Sequence, residues 1–288
     1  MAWVDLHLHT TASDGVLSPS GIVRYAAGKG LEAIAITDHD TIDGNQEALD
    51  EGKKAGLEVI PGVEISARFD LGSMHILGFF IDIGNRALKE RLSLLQETRA
   101  KRNPKMVQKL RELGVEISYD EVLRASGGGQ VGRPHFACVL LEKGYVRTMQ
   151  EAFDRYLGRG APAYVDKFRF NPAEAMDLIR KARGIPVLAH PFTLHLPPHQ
   201  LSALLHELTQ WGLMGIEVYY PEHTGDQVSF YKGLAESHGL LVTGGSDYHG
   251  IEGGNVEIGM GPGNMRLSYS MVEAMRGALH PNSHPSHP

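Results

Sequence analysis

Short apolar runs with strand character recur along the chain, and most are followed by a helical stretch. They lie near Val4–His9, Ala33–Thr37, Glu58–Ser66, Met74–Ile81, Ile185–His190, Gly215–Tyr220 and Leu240–Gly245. Strand–helix alternation predicts a parallel sheet wrapped by helices. Seven strands predict an α/β fold of the barrel type, a distorted (β/α)7 barrel, with an open doubly wound sheet as the alternative. Ser18-Pro19 and Asn171-Pro172 each read as a helix start, a capping side chain followed by proline at the first helical position.

The alternation breaks once. From Arg86 to Tyr164 only helical patterns occur, near Arg86–Leu113, Tyr119–Ala125, Arg133–Lys143 and Thr148–Leu157. This predicts a discontinuous barrel, residues 1–85 and 165–279, with a helical insertion over 86–164 placed to cap a substrate. The tail 280–288 is rich in His and Pro and is expected to be flexible. At 288 residues the chain has a normal length for one barrel. No apolar run approaches the ~18 residues of a membrane span, and the first residues lack the pattern of a signal peptide. A cytoplasmic location is expected, with no membrane and no obligate protein partner. A net charge of −6 argues against a long nucleic-acid duplex as partner.

Histidine is the compositional outlier, with 15 copies, and placement matters more than number. His7 and His9 are two apart on the first strand, so Asp5, His7 and His9 are expected on one face and Val4, Leu6 and Leu8 on the other. Asp14 follows. Thr37-Asp38-His39-Asp40 closes the second strand, Glu64 lies in the third, and His75 begins the fourth. His190-Pro191 closes the fifth, and Ser246-Asp247-Tyr248-His249 closes the last. In parallel barrels the ends of the strands share one rim. Any one of these residues alone reads as a loop or capping group. Together, buried and unpaired, they would resist burial, and divalent cations resolve this by neutralising carboxylates and taking imidazole lone pairs.

These motifs, His7-Leu8-His9-Thr10, Thr37-Asp38-His39-Asp40, Gly62-Val63-Glu64, His190-Pro191 and Ser246-Asp247-Tyr248-His249, resemble those of the PHP (polymerase and histidinol phosphatase) family. The resemblance implies a distorted seven-stranded barrel with a trinuclear metal site. It implies that His7, His9, Glu64 and Asp247 bind one ion. Glu64 would bridge to a second ion held by His75 and His190, and Asp14, His39 and His249 would hold a third. Mixed nitrogen and oxygen donors suit zinc, manganese or iron, and the resemblance leans towards Mn2+, with two or three ions per chain. The chemistry expected is phosphoester hydrolysis by a hydroxide bridging two ions. Asp40 and His135 are candidates for contacting substrate or handling its proton.

The insertion points to the substrate. Between Arg86 and Arg111 nine basic residues face two acidic ones, a local +7 in a chain of −6. A one-signed cluster asks for an anion. Asn103-Pro104 reads as a new helix start whose amides add to the positive field. Gly127-Gly128-Gly129-Gln130-Val131-Gly132-Arg133-Pro134-His135 reads as a loop and helix start able to cradle phosphate. Arg99, Arg102, Asn103, Arg133, His135 and Asp40 are therefore the candidate substrate contacts, and Phe168 and Phe170 are candidates for stacking on a base. The insertion also resembles that of the PHP subfamily acting on nucleoside 3′,5′-bisphosphates and short oligonucleotides. The expected activity is removal of the 3′-phosphate from a 3′,5′-bisphosphate such as adenosine 3′,5′-bisphosphate, giving the 5′-nucleotide. The alternatives are a 5′→3′ exonuclease on short oligonucleotides, a histidinol-phosphate-type phosphatase and a non-catalytic metal-binding module.

Overall fold

The computed structural model describes residues 2–250, 256–260, 263 and 266–279, and the tail 280–288 lies outside them. The strands are β1 (Trp3–Leu8), β2 (Ala33–Ile36), β3 (Glu58–Ala67), β4 (Met74–Phe79), β5 (Ile185–Leu188), β6 (Gly215–Tyr219), β7 (Leu241–Gly244) and a short β8 (Leu267–Ser268). They form one sheet in the order β7-β6-β5-β4-β3-β2-β1-β8. The sheet nearly closes on itself: the His9 N–H donates to the Tyr248 carbonyl at 3.1 Å, joining β1 to the segment after β7. The fold is thus α/β with a nearly closed, barrel-shaped eight-stranded sheet, the eighth strand being absent from the sequence reading. Among the described residues, no helix is long and apolar enough to cross a membrane.

Capping residues start the helices where the sequence indicates. Ser18 accepts from the Gly21 N–H at 3.0 Å and opens α1 (Pro19–Gly28). Asn171 accepts from the Glu174 N–H at 2.8 Å and opens α7 (Pro172–Lys181). On β2, alternation sorts the core. Ala33 and Ala35 face the barrel interior with Val4, Leu6, Ile60, Leu77 and Phe79, while Ile34 and Ile36 pack outward with Ile22 and Val23 of α1. An apolar plug therefore fills the lower barrel, leaving the opposite rim for polar chemistry.

Three expectations are corrected. The sheet is not all parallel: β4 runs antiparallel to both β3 and β5. Only residues 68–73 separate β3 from β4, too few for the crossover that a parallel pair requires. The reversal carries the start of β4, with His75, to the rim where the parallel strands end. Second, Asp5, His7 and His9 do not share a face. Asp5 pairs with Ile34 and Leu8 with Ile36, so β1 uses three steps against two on β2. This bulge turns Asp5 away, and its carboxylate accepts from the N–H groups of Ser246 and Gly259 at 2.9 and 2.7 Å. Bulges re-aim side chains beside functional sites in this way. Third, no helix starts at Pro104. A single helix, α3, runs through it from Arg86 to Glu112, losing one backbone hydrogen bond there and offering no amide terminus.

Helix α3 organises the insertion. Its 27 residues span about 40 Å at 1.5 Å per residue. Leu88, Leu92 and Leu95 pack into the barrel's apolar cluster. Met106, Val107 and Leu110 belong to a separate cluster with Phe136, Val139, Leu140 and Leu157. That second cluster unites α3 with α4 (Tyr119–Ala125), α5 (Arg133–Glu142) and the one-turn α6 (Met149–Ala152), which continues into a π-helical turn, Phe153–Leu157. Between the two apolar halves of α3 sit three buried polar residues, Arg99, Arg102 and Asn103.

Candidate metal centre and anion cavity

All nine expected ligands converge on the rim. Glu64 lies at the centre, fully buried. Its Oε2 is 3.3 Å from His7 Nε2, 3.2 Å from His9 Nε2 and 2.9 Å from His39 Nδ1. Its Oε1 is 2.9 Å from His75 Nδ1 and 3.0 Å from His190 Nε2. Asp247 Oδ1 is 2.9 Å from His9 Nε2 and 3.3 Å from His7 Nε2. Asp14 Oδ1 is 3.4 Å from His249 Nε2 and 3.8 Å from His9 Nδ1. Three sets of donor atoms are close enough for a shared ion: His7, His9, Glu64 and Asp247; His9, Asp14, His39 and His249; and His39, Glu64 and His75. The grouping differs from the family-based expectation in that His9 and His39 each belong to two sets, while His190 joins through Glu64 and His75.

The tautomers test whether cations fit. His7 Nδ1 donates to Glu217 Oε1 at 2.9 Å, and His249 Nδ1 donates to the Asp247 carbonyl at 2.8 Å. Thr193 Oγ1 gives its proton to a carbonyl, so it accepts from His190 Nδ1 at 3.1 Å. Ser13 Oγ gives its proton to Asp38, so it accepts from His9 Nδ1 at 3.5 Å. In the neutral form of all four rings the proton sits outward and the Nε2 lone pair faces the cup, the arrangement that metal-binding imidazoles adopt. His7 Nε2, His9 Nε2, Asp14 Oδ1, His39 Nδ1, Glu64 Oε2 and Asp247 Oδ1 are buried without any hydrogen-bond partner. Each such orphan costs about 1–3 kcal/mol, and divalent cations satisfy the whole set.

Electrostatics agree. Burial presses His7 and His9 towards neutrality, yet Asp247 and Glu64 hold His7 well up and His9 up to about 10. Burial works to raise Asp14, Glu64 and Asp247, but the surrounding imidazoles hold all three well below the carboxylate range. The cup thus demands positive charge. His190 and Asp247 have φ of 23° and 53°, and Asp40, beside His39, has 54°. Non-glycine residues held there cost about 1–3 kcal/mol each and cluster at functional sites.

Other supporting residues escaped the sequence reading. Glu217, fully buried on β6, fixes His7 and also accepts the His190 N–H at 2.7 Å. Its signal was a lone carboxylate inside an apolar strand. Asp38 accepts from the Thr10 N–H at 2.7 Å, Thr10 Oγ1 at 2.8 Å and Ser13 Oγ at 2.6 Å, shaping the loop that carries Asp14. Tyr220 donates to Asp247 Oδ2 at 3.0 Å. Burial and the carboxylates near it hold that phenol well above its ordinary range, so it keeps its proton.

A cavity of about 730 Å³ opens from this cup. Asp14, His39 and His75 of the cup line it together with Arg99, Arg102, Arg133, Lys167 and Arg169. Of the basic residues counted on α3, only Arg99 and Arg102 are buried. The rest lie on the helix surface or at its edge, some in pairs such as Arg86–Glu90 at 2.6 Å. Arg102 is bonded through its guanidinium to Asn103 Oδ1 at 2.8 and 3.1 Å, with no carboxylate partner among the described residues. Burial, with Arg99, Arg133 and Arg169 beside it, pushes Arg102 down to about 9. Guanidinium does not deprotonate in proteins, so that shift measures how strongly the position lacks an anion. Arg133 also has no carboxylate partner among the described residues and sits 5.7 Å from the ring centres of Phe153 and Tyr164.

The remaining candidates fall in distinct places. Asp40 does not sit at the cavity mouth: it is fully buried, accepting from the Ser66 N–H at 2.8 Å and pairing with Arg99 and, at 2.6 Å, Lys167. Burial works to raise it, but Lys167 and Arg99 hold it far below the carboxylate range. Asn103 spends its amide on Arg102 and on the Val131 carbonyl, so it braces Arg102. His135 Nδ1 accepts from the Gly132 N–H at 2.9 Å, which places the proton of the neutral ring on Nε2, and burial lowers its basicity. Gly127–Gly129 do not line the cavity. They border a separate cleft of about 600 Å³ that shares Arg99 with it. Phe170 is fully buried and unavailable to a base, whereas Phe168 is exposed.

Residues 5–158 match the PHP domain family model. The chain is 35% identical to a 5′-3′ exoribonuclease of Haemophilus influenzae, over 88% of this chain and 92% of that protein. It is 32% identical to a 3′,5′-nucleoside bisphosphate phosphatase of Chromobacterium violaceum, over 90% and 91%. A solved structure described as an amidohydrolase from Chromobacterium violaceum, with bound sulfate and no metal, superposes with a TM-score of 0.85 at 31% identity, covering 95% and 97% of the two chains. With these motifs, this rim and these relatives, the chain belongs to the PHP domain family.

Proposed function

We propose that the protein is a metal-dependent phosphohydrolase that removes the 3′-phosphate from nucleoside 3′,5′-bisphosphates. The observation that carries this reading is a single cavity lined both by the cation-seeking cup and by two guanidiniums, Arg102 and Arg133, that have no carboxylate partner among the described residues. Such a cavity suits a substrate with two phosphates. Residues 86–164 act as the substrate cap on a barrel formed by 1–85 and 165–279. His7, His9, Asp14, His39, Glu64, His75, His190, Asp247 and His249 hold two or three divalent ions, Mn2+ by preference. When bound, the ions supply a nucleophile from water at neutral pH and offset charge on the phosphoryl oxygens.

The chain's own groups do the rest. Arg102 and Arg133 bind the 5′-phosphate in charge-assisted hydrogen bonds. Asp40, ionised and buried, holds Arg99 and Lys167 at the cavity wall and is unsuited to relay a proton. His135, buried and next in sequence to the cavity-lining Arg133 and Pro134, with its proton on Nε2, is the proposed donor to the departing 3′-oxygen. A cytoplasmic enzyme acting on nucleotides is part of the same proposal. A basic lining argues against a cationic substrate such as histidinol phosphate. The cleft beside Arg99 favours a second activity, 5′→3′ removal of nucleotides from short oligonucleotides, because it offers room for a continuing strand.

The test compares kcat/KM for adenosine 3′,5′-bisphosphate, adenosine 3′-monophosphate and histidinol phosphate. A charged hydrogen bond is worth about 1.5–3 kcal/mol, so the bisphosphate is expected to lead the 3′-monophosphate by about 10- to 100-fold or more. Equal values for these two nucleotides would remove the case for a second phosphate site.

A further inference from the structure

We propose that Tyr220 is a positioning residue that restricts Asp247 to one-oxygen coordination, and so helps set how tightly this centre holds its ions. The inference rests on the metal reading above. Asp247 has two carboxylate oxygens with different surroundings. Oδ1 faces His9 Nε2 at 2.9 Å and His7 Nε2 at 3.3 Å, and is buried without a hydrogen-bond partner. Oδ2 accepts the Tyr220 hydroxyl at 3.0 Å. The main-chain carbonyl of Asp247 is also engaged, by His249 Nδ1 at 2.8 Å. Of this residue's acceptors, Oδ1 alone has no hydrogen-bond partner.

The phenol is held for this task. Its ring packs edge-on to His190 with centroids 5.5 Å apart, against Phe192 at 5.4 Å and against His223 at 5.3 Å. His223 is itself anchored, its Nδ1 donating to the Val218 carbonyl at 2.8 Å and its ring meeting Tyr231 at 4.8 Å. With 8% of its surface exposed, Tyr220 has little room to swing. The carboxylate it holds belongs to a residue whose φ is 53°, a conformation that persists only where the surroundings over-determine it. A bond at Oδ2 fixes the tilt of the carboxylate and disfavours closure on an ion with both oxygens, which would leave a position for substrate, as catalytic metal sites require.

Tyr220→Phe removes the hydroxyl and keeps the ring. Affinity for Mn2+ and Zn2+ is measured by competition with a chromogenic chelator, alongside the melting temperature of the chelator-stripped protein, kcat and KM. Affinity is expected to fall about 10- to 100-fold, the usual cost of losing a partner that orients a ligand. The stripped protein's melting temperature should stay unchanged, and kcat should fall with KM nearly constant. Tyr269→Phe removes a phenol hydroxyl that donates to Glu58 at the start of β3, and should bind both ions within about twofold of the unaltered protein, since it spares the orienting bond. The proposal is overturned if Tyr220→Phe binds ions as the unaltered protein does, or if Tyr269→Phe loses as much affinity. An unaltered protein that binds neither ion would instead defeat the metal reading itself, and this inference with it.

Discussion

Two sets of side chains share the cavity: in the cup, buried lone pairs lack partners, and in the basic set, buried guanidiniums outnumber carboxylates among the described residues. The cup gathers nine donor side chains from β1, β3, β4 and the ends of other strands, with orphaned atoms on six of them. The basic end takes Arg99 and Arg102 from α3, Arg133 from the start of α5, and Lys167 and Arg169 from the segment before α7. The cup sits on a sheet whose register fixes each side chain. The basic end hangs between two apolar clusters on helices and loops. On the proposed reading, the difference is a division of labour: the cup would serve a group common to all phosphoester substrates, and the basic residues would select among them.

Breaking the cup should therefore damage every reaction. Glu64 touches five imidazoles within 3.3 Å, so Glu64→Gln removes the charge that binds the centre together. Expected is a loss of activity well beyond the ~10–100-fold cost of a supporting residue, equal on adenosine 3′,5′-bisphosphate and on a small aryl phosphate, with metal content falling in parallel by elemental analysis. A Glu64→Gln enzyme retaining full metal and rate would show that the convergence of these side chains has another purpose. Breaking the other end should separate the two substrates. Arg102→Ala is expected to lower kcat/KM for the bisphosphate about 10- to 100-fold, in line with a lost charged hydrogen bond, while the aryl phosphate changes less than about twofold. Equal losses on both would erase the contrast between the two ends.

The same contrast governs what the sequence could reveal. The cup was legible because strands of a barrel end on one rim, so histidines and carboxylates at strand ends are neighbours whatever their separation in the chain. What blurred it was backbone geometry. A bulge in β1 removed Asp5 from the face of His7 and His9, and no residue type announces a bulge. The short link before β4 did encode its reversal, and with it the place of His75 at the rim. The basic end was legible in sign but less so in detail. Charge counting on α3 weighted surface residues such as Lys101 and Lys105 as heavily as Arg99 and Arg102. Lys167 was missed because its partner, Asp40, is 127 residues away, and neither helix nor strand periodicity links them.

Lys167 offers the finest probe of the comparison. Burial, with Arg99 beside it, pushes its ammonium down to about 7, against the pull of Asp40. A lysine with a lowered value is a cation below that pH and neutral above it, so the cavity's attraction for a 5′-phosphate should weaken as pH rises through about 7. The raw pH profile cannot show this, because water on ions held by the cup would also titrate near neutrality. The ratio of kcat/KM for the bisphosphate to that for the aryl phosphate cancels the shared centre and reports the free enzyme's own group. That ratio is expected to fall several-fold between about pH 6 and 8, by less than the loss of a full charged hydrogen bond, because Arg102 and Arg133 stay charged. In Lys167→Met it should be low and flat with pH. A ratio that is flat in the unaltered enzyme would mean that Lys167 keeps its proton for Asp40, and that discrimination rests on the arginines alone.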